Sequence, residues 1–274
     1  MVTTLLLPRL AARSAGFTAT GRRAASVIER NVVATKVEYV LVMVSGLFEP
    51  VLFLLSIGVG VGTLVGDITL PDGRAVPYAA FVAPAMLAAS AMNGALAETT
   101  YNFFAKIKYY KLYDAMLATP IRPVEIAFGE LCWAMLRGSV YSAAFLALMV
   151  LMDVTTVPRA VAMFPATVLV GFVFGALGMA VSTFFRSWQD FDVVASAQFA
   201  LFLFSGTFAP PEAYPAALRW LVEISPLYQA IVLIRGISLG VVGWAQAAAA
   251  VYLLVLLVAG LVIAARRMER LLYR

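Results

Sequence analysis

The sequence predicts an all-α integral membrane protein. Of its 274 residues, 63% are hydrophobic and only 13% are charged, whereas a soluble domain averages about 25% charged residues. Several apolar stretches reach the roughly 20 residues that a helix needs to cross a bilayer. Helices are the expected spanning structure because every backbone polar group must be satisfied inside lipid.

Taken in order, the apolar stretches predict six spanning helices. They occupy residues 40–64, 79–99, 126–152, 160–185, 193–208 and 243–265. The fifth is short and can extend backward through Phe191. We interpret residues 20–274 as one transmembrane domain and residues 1–19 as a flexible cytoplasmic tail. The apolar run before Pro8 is shorter than the roughly 7–15 residues of a secretory signal core.

Between the fifth and sixth predicted spans, residues 209–242 alternate prolines and charges with short apolar runs. Prolines break helices, and charges are costly at the bilayer centre. We therefore expect two short helices that re-enter the membrane from one side, covered by protein. The prolines that define this segment are Pro210, Pro211 and Pro226.

Basic residues fix the predicted orientation. They concentrate in residues 1–39, in the segment between spans two and three, and in residues 266–274. With six spans these three regions share one side, which the positive-inside rule assigns to the cytoplasm. Both termini are therefore predicted to be cytoplasmic. A seventh span over 216–240 would place the C-terminal arginines outside.

Residues 20–39 combine apolar positions with arginines and a lysine. This pattern predicts an amphipathic helix lying on the inner surface and leading into the first span. The alternative is a charged flank that only orients that span.

A basic, tyrosine-rich segment, KIKYYKLYDAMLATPIRP, runs from Lys106 to Pro123. We expect Thr119-Pro120 to end a helix here. The predicted apolar contacts are Ile107, Tyr110, Leu112, Tyr113, Met116 and Leu117, and the predicted exposed side chains are Lys106, Lys108, Lys111 and Asp114. Because Tyr and Met are enriched in interfaces, the segment indicates a docking surface for a cytosolic partner. The alternative is a loop that only sets orientation.

Several charges fall inside predicted spans, where an ionisable residue usually faces protein or water. Glu49, followed by Pro50, lies in the first span, and both a gate and a structural ion pair explain it. Glu130 and Arg137 lie about two turns apart on the third span. At that depth Arg137 needs a partner, for which Glu49 and Glu130 are the candidates. Glu98 is interpreted as an ordinary interface charge at the end of span two.

The composition excludes several classes of site. The chain has no histidine and one cysteine, Cys132, which excludes His-based triads, Cys/His zinc sites and disulfide scaffolds. The sequence contains no phosphate-binding G-x-x-x-x-G-K-[ST] motif, so any ATP is hydrolysed by another chain. We predict no cofactor, no metal and no catalytic residue on this chain, and no nucleic-acid partner.

Four strings together resemble the ABC type-2 transporter permeases, in the branch of the nodulation-factor exporter membrane subunit and drug-resistance permeases. They are EPVLFLLSIGVGVG at 49–62, YAAFVAPAMLAASAM at 78–92, YDAMLATPIRPVEIAFGELCWAMLRG at 113–138 and SGTFAPPEAYPAALRWLVEISPLYQAIVLIRGISLG at 205–240. Gln229 stands where that family often has a histidine, so no histidine-dependent role is carried over.

The resemblance implies a permease subunit of an ATP-driven exporter in a bacterial inner membrane. Two permeases, identical or paralogous, would pair in lipid and be driven by two cytosolic ATPase subunits that hold ATP and Mg. The implied coupling helix seated on the ATPase comprises Tyr109, Tyr110, Lys111, Tyr113, Asp114, Met116, Leu117, Thr119 and Pro120. The substrate class is amphipathic, lipid-linked or drug-like. The alternative is a proton-coupled secondary transporter that uses Glu49, Glu98 or Glu130 as relays.

Overall fold

The computed structural model describes residue 21, residues 24–34, residues 48 and 52, and residues 54–70 and 73–272. Helix α1 covers residues 24–34. Helix α2 begins as a π-helical stretch, Leu54–Val61, and continues as Gly62–Val65. Strands β1 (Asp67–Thr69) and β2 (Ala75–Pro77) form an antiparallel hairpin with Ile68 opposite Val76.

Eight further helices form the body of the protein. They are α3 (Tyr78–Lys108), α4 (Leu112–Leu117), α5 (Pro123–Leu151), α6 (Val157–Ser182), α7 (Asp190–Leu203), α8 (Ala216–Ile224), α9 (Pro226–Leu239) and α10 (Trp244–Leu272), with a 3-10 turn at Pro211–Ala213. We call the end of the bundle that carries α4 the α4 end. The opposite end, which carries the hairpin and α8, is the α8 end.

Four of the described helices are long and apolar enough to cross a membrane: α3, α5, α6 and α10. The pair α8 and α9, bent by 76°, is a fifth candidate if it counts as one span. This agrees with an all-α membrane protein. About half of the predicted first span, 40–64, lies outside the described residues, and its described end, 54–64, is helical.

Three predicted helix boundaries are wrong, and one of them is the end of α10, which continues to Leu272 rather than stopping at 265. Helix α7 starts at Asp190, as the backward extension anticipated, but stops at Leu203 rather than 208 because Phe204 leaves helical geometry and Gly206 has a φ of +66°. Its 14 residues span about 21 Å. Helix α3 passes the predicted end at Thr99 and continues to Lys108 through a π-helical stretch, Glu98–Asn102.

Helix α6 is central and packs against α3, α5 and α10. Its buried face includes Val170, Val173, Ala176 and Met179. Small residues let the neighbouring helices approach closely. A Cβ placed on Gly260 of α10 would lie 3.0 Å from the carbonyl carbon of Ala176 and 3.1 Å from the backbone nitrogen of Leu177. Backbone of α6 therefore contacts α10 directly.

At the α8 end, a partly buried arginine holds α9 against the bundle. The Arg235 guanidinium donates to the backbone carbonyls of Phe81 and Gly206, each at 3.0 Å, and lies 3.7 Å from the centre of the Phe81 ring. Tyr252 of α10 also donates to the carbonyl of Ile224 at 2.6 Å. These contacts fix the α8–α9 bend relative to α3 and α10.

The close contact at Gly260 gives a stability prediction. Gly260→Ala should cost about 1–3 kcal/mol of unfolding free energy, because the new methyl group meets backbone that cannot rotate away. The matched variant Gly138→Ala should be neutral or stabilising, since a Cβ there meets no atom within 4 Å. Thermal denaturation of both purified variants in detergent measures the difference. Equal melting temperatures would contradict the assigned packing.

Candidate functional site

Helix α4 is a short surface helix that packs on the bundle through the buried Tyr113 and through the half-buried Leu112, Met116 and Leu117. Tyr113 is fully buried and its ring centre lies 5.5 Å from that of Phe103 on α3. It belongs to a small core with Ile126 and Leu131 of α5. Burial raises the pKa of the Tyr113 hydroxyl well above its usual value, and the nearby charge of Glu130 raises it further. Tyr113 is therefore neutral at physiological pH.

The two sides of α4 differ: one is exposed, while Leu112, Met116 and Leu117 pack against the small core, as their predicted apolar contacts required. Asp114 is exposed, and Met116 and Leu117 are half-buried. The helix ends before Thr119-Pro120, as predicted, and the Thr119 hydroxyl caps it by donating to the Met116 carbonyl at 2.6 Å. Pro120 is exposed in the following turn.

The residues that precede α4 take an unusual path. Lys111 has a φ of +46°, the left-handed conformation that glycine adopts most readily. This conformation turns the chain sharply just before the helix, and the Lys111 side chain is exposed. Tyr110 is 74% exposed, so its predicted apolar contact is wrong. Residues in this conformation often cluster at functional sites. The turn is therefore consistent with a functional role for α4.

Glu130 is the meeting point of several elements beside α4. Its Oε2 atom accepts hydrogen bonds from Nζ of Lys106 on α3 at 2.6 Å and from Nδ2 of Asn31 on α1 at 3.2 Å. Lys106 was predicted to be exposed, but its side chain is only 15% exposed. Because α3 continues as a helix to Lys108, Lys106 lies beside Glu130 of α5. Helix α1 packs here through Val27, close to Gly129.

Arg137 pairs with Glu98, so the predicted partner Glu130 is wrong; the other candidate, Glu49, lies outside the described residues. Nη1 of Arg137 donates to Oε2 of Glu98 at 2.8 Å, and Asn102 donates to the same oxygen at 2.7 Å. Glu98 was interpreted as an ordinary interface charge, which is wrong. The π-helical stretch beginning at Glu98 rotates the directions in which the side chains of this turn of α3 project. Such distortions frequently accompany functional sites.

An aromatic cluster connects the α4 end of α3 with the start of α7. The rings of Tyr109 and Trp188 stack with centres 5.3 Å apart, and those of Tyr101 and Phe191 stack at 4.2 Å. Phe104 contacts both Trp188 and Phe191 edge-on. The cluster therefore consists of Tyr101, Phe104, Tyr109, Phe185, Trp188 and Phe191. Tyr109, predicted as a docking residue, stacks on Trp188, which lies two residues before α7.

A cavity of about 540 Å³ lies between α3, α5 and α7. Its lining is mostly apolar, with a polar spot where Nε2 of Gln198 on α7 donates to Oδ1 of Asn93 on α3 at 2.6 Å. Ala97 and Gly138, the chain neighbours of Glu98 and Arg137, line its α4 end. We call this space the α7 cavity.

The other predicted site residues lie apart from these contacts. Glu49 and Pro50 fall outside the described residues. Pro210 and Pro211 begin the 3-10 turn before α8, and Pro226 occupies the first turn of α9, where proline is favoured. All three prolines therefore lie at the α8 end of the bundle, opposite the end that carries α4.

Comparison with known proteins gives the family. The model of the family described as ABC-2 type transporter matches residues 24–239. This chain belongs to the ABC-2 type transporter family. It is 31% identical over 216 residues to Nodulation protein J of Rhizobium leguminosarum bv. trifolii, covering 78% of this chain and 80% of that protein.

Further relatives show the same extent of similarity. Nodulation protein J of Rhizobium leguminosarum bv. viciae is 31% identical, covering 78% of this chain and 82% of the relative. Nodulation protein J of Rhizobium meliloti (strain 1021) is 30% identical, covering 78% and 80%. The predicted family is confirmed. The protein is a multi-pass ABC-2 permease, and members of this family are transport subunits that normally work with an ABC ATPase.

Reasoning from sequence missed several residues of this ABC-2 permease that the structure brings together: Asn31, Lys106, Asn93, Gln198 and Trp188. A signal existed for two of them, because amides within predicted spans usually bond across helices. Asn93 and Gln198 were such amides, in spans two and five. Nothing in the local sequence predicted that Lys106 is partly buried.

The Glu98–Arg137 pair gives a second prediction. Arg137→Leu leaves the carboxylate of Glu98 uncompensated in a mostly buried setting, which costs about 3 kcal/mol or more. The folded yield in detergent should fall well below that of Arg137→Lys, which keeps the charge. The double variant Glu98→Gln/Arg137→Leu should recover part of the loss. A yield of Arg137→Leu equal to that of the unaltered protein would exclude a stabilising pair.

Proposed function

We propose that this chain is the permease subunit of an ATP-driven exporter in a bacterial inner membrane. It would move an amphipathic, lipid-linked or drug-like substrate out of the cytoplasm. ATP and Mg would be held by a separate cytosolic ATPase, and the coupling helix comprising Tyr109 to Pro120 would sit on that subunit. The observation that carries the proposal is the form of α4: it is anchored by the buried Tyr113 while Asp114 stays exposed.

Two connections would carry a displacement of α4 into the membrane. Tyr113 lies in the small core that α4 shares with α3 and α5, beside the Lys106–Glu130 ion pair. Tyr109, just before α4, stacks on Trp188 at the start of α7. A push on α4 would therefore act on α5 through packing and on α7 through the aromatic cluster.

The topology that fits this role has six spans with both termini in the cytoplasm. Basic residues support it because Lys108, Lys111 and Arg122 surround α4. Helix α1 would lie at the inner surface, with Val33 exposed toward lipid headgroups. Helices α8 and α9 would be the external re-entrant segment that closes the outer mouth.

Two permeases and two ATPases would form the working exporter, and the second permease is either identical or a paralogue. Helix α7 supports such pairing. Among described residues only Phe191 of α7 is buried, while Val193 and Phe199 are more than 60% exposed. An apolar helix face of this kind is suited to lipid or to a second permease.

The alternative, a proton-coupled transporter, receives less support. Glu98 and Glu130 each accept a hydrogen bond from a basic side chain, at 2.8 and 2.6 Å. These pairs join α3 to α5, so both carboxylates have a structural explanation. Glu49 lies outside the described residues.

The docking surface gives a third prediction. Asp114→Arg reverses an exposed charge on α4, and Met116→Asp places a charge on its half-buried side. Both variants should lose co-purification with a co-expressed cognate ABC ATPase while still inserting into the membrane. The matched control is Asp67→Arg, an exposed charge reversal at the α8 end. It should co-purify normally. Undiminished co-purification of Asp114→Arg and Met116→Asp would contradict the coupling assignment.

A fourth prediction separates the two energy sources. Inside-out vesicles containing both subunits should accumulate an NBD-labelled alkyl glucoside, used as a model amphiphile, only when ATP is supplied. Permease alone should show no accumulation under an imposed proton gradient. Uphill movement by the permease alone under that gradient would establish the proton-coupled alternative.

A further inference from the structure

We infer that Arg235 is a latch at the α8 end of the bundle, whose guanidinium holds the connection between α7 and α8 closed against α3. The inference rests on the proposed export function, because it assigns the closing of the proposed outer mouth to one side chain. Arg235 is in this sense a positioning residue. It acts by holding backbone segments together and not by contacting the substrate.

The connection between α7 and α8, residues 204–215, lies between two helices that bury little of their surface against the described residues. Among those residues, α7 buries only Phe191 and α8 buries only Val222. Helix α9 differs, because Leu227 and Ile231 belong to the main core. The arginine therefore lies on a well-packed helix, and it reaches a connection whose placement depends on the contacts of its own residues.

Arg235 joins three parts of the backbone through one planar group. Its Nε atom donates to the carbonyl of Phe81 on α3 at 3.0 Å. Its Nη2 atom donates to the carbonyls of Gly206 at 3.0 Å and Thr207 at 3.4 Å. The guanidinium also lies 3.7 Å from the centre of the Phe81 ring. Because a guanidinium presents its donors in a fixed fork, one side chain of α9 bridges α3 and the turn after α7.

The partners of this guanidinium in the described part of the chain are neutral. The nearby acidic side chains, Glu223 and Glu212, pair with Arg219 instead, at 2.9 and 3.7 Å. Breaking a buried ion pair leaves an uncompensated charge, which is strongly destabilising. A backbone carbonyl that loses a donor leaves no charge behind. Arg235 can therefore release its partners at a lower cost than an arginine held by a carboxylate.

Helix α3 offers the Phe81 carbonyl in a turn that a proline weakens. Pro84 lies inside α3. It has no N–H to donate to the carbonyl of Ala80, and its ring pushes against that carbonyl. Neighbouring groups commonly satisfy the backbone that a proline disturbs in a spanning helix. Arg235 donates within this same turn, at Phe81, so its contribution is expected to depend on Pro84.

The turn after α7 encloses side chains that opening would expose to water. Gly206 has a φ of +66°, and a Cβ there would lie 3.2 Å from Cδ2 of Tyr228 on α9. Ser205 and Thr207, on either side of it, are fully buried. The hydroxyl groups of Ser205 and Ser225 form a hydrogen bond of 3.0 Å. The Thr207 hydroxyl has no hydrogen-bond partner among the described residues, so this side chain is suited to carry a reporter.

The experiment measures how readily the side chain at position 207 reaches water. Thr207→Cys keeps the backbone carbonyl that Arg235 binds. It is combined with Cys132→Ala, which removes the one natural cysteine. The purified full-length permease is placed in lipid nanodiscs without ATPase, and its modification by a water-soluble methanethiosulfonate is timed by mass spectrometry. Ser182→Cys, at a buried position near the α4 end of α6, reports any general loosening of the fold.

Arg235→Met removes the donors but keeps an apolar chain, and it should raise the modification rate of Thr207→Cys roughly tenfold. Arg235→Lys keeps the charge but lacks the fork, so the rate should rise only about threefold. Neither change should alter the rate of Ser182→Cys. The matched control is Arg219→Met, which removes an exposed arginine at the same end and should leave both rates unchanged.

A double-variant cycle tests the dependence on Pro84. The alanine in Pro84→Ala supplies the missing N–H to α3, so adding Arg235→Met should then raise the rate only about threefold. The matched control is Pro165→Ala, because Pro165 also lies inside a helix, on α6. In that background Arg235→Met should keep its full effect, roughly tenfold.

Three outcomes would overturn the inference. An unchanged rate of Thr207→Cys in Arg235→Met would show that the arginine does not hold the turn closed. Equal acceleration of Thr207→Cys and Ser182→Cys would show a general loss of packing. A full effect of Arg235→Met in the Pro84→Ala background would exclude the dependence on the α3 turn. These measurements use neither ATP nor the ATPase, so failure of the latch and failure of the proposed export function remain distinguishable.

Discussion

The buried carboxylate of Glu130 constrains the whole α4 end of the protein. A charge removed from water needs compensation from a partner of opposite sign and from hydrogen bonds. Glu130 obtains the first from Lys106 on α3 and the second from Asn31 on α1. Tyr113 of α4 is buried in the same region. Four elements are thereby fixed relative to one another at the place where an ATPase partner is proposed to act.

Within the described residues, helices α6 and α7 differ in how much of their surface is buried. Helix α6 contacts α10 at backbone distance near Gly260, so these helices are expected to move together. Helix α7 is different, because among the described residues it buries only Phe191. Its contacts are the aromatic cluster at its start, the Gln198–Asn93 hydrogen bond, and the packing of Leu201 and Phe202 against the core.

Much of the architecture followed from composition and spacing. The four long helices α3, α5, α6 and α10 coincide with predicted spans because apolar stretches of that length have no other stable arrangement in lipid. The helical break at Thr119-Pro120 and the two short helices around Pro226 also followed from local chemistry. The family resemblance was visible in strings that together cover much of the domain.

By itself the sequence determined the membrane class, the family, the helices α3, α5, α6 and α10 and the basic segment that contains α4, because these depend on residue type along the chain. Only the tertiary structure decided which charges pair. Glu98 forms an ion pair with Arg137, and Lys106 with Glu130. Both pairs depend on the π-helical stretch, which extends α3 and rotates the direction of its side chains. The cavity was likewise decided in three dimensions, since it depends on how far α7 stands from α3 and α5.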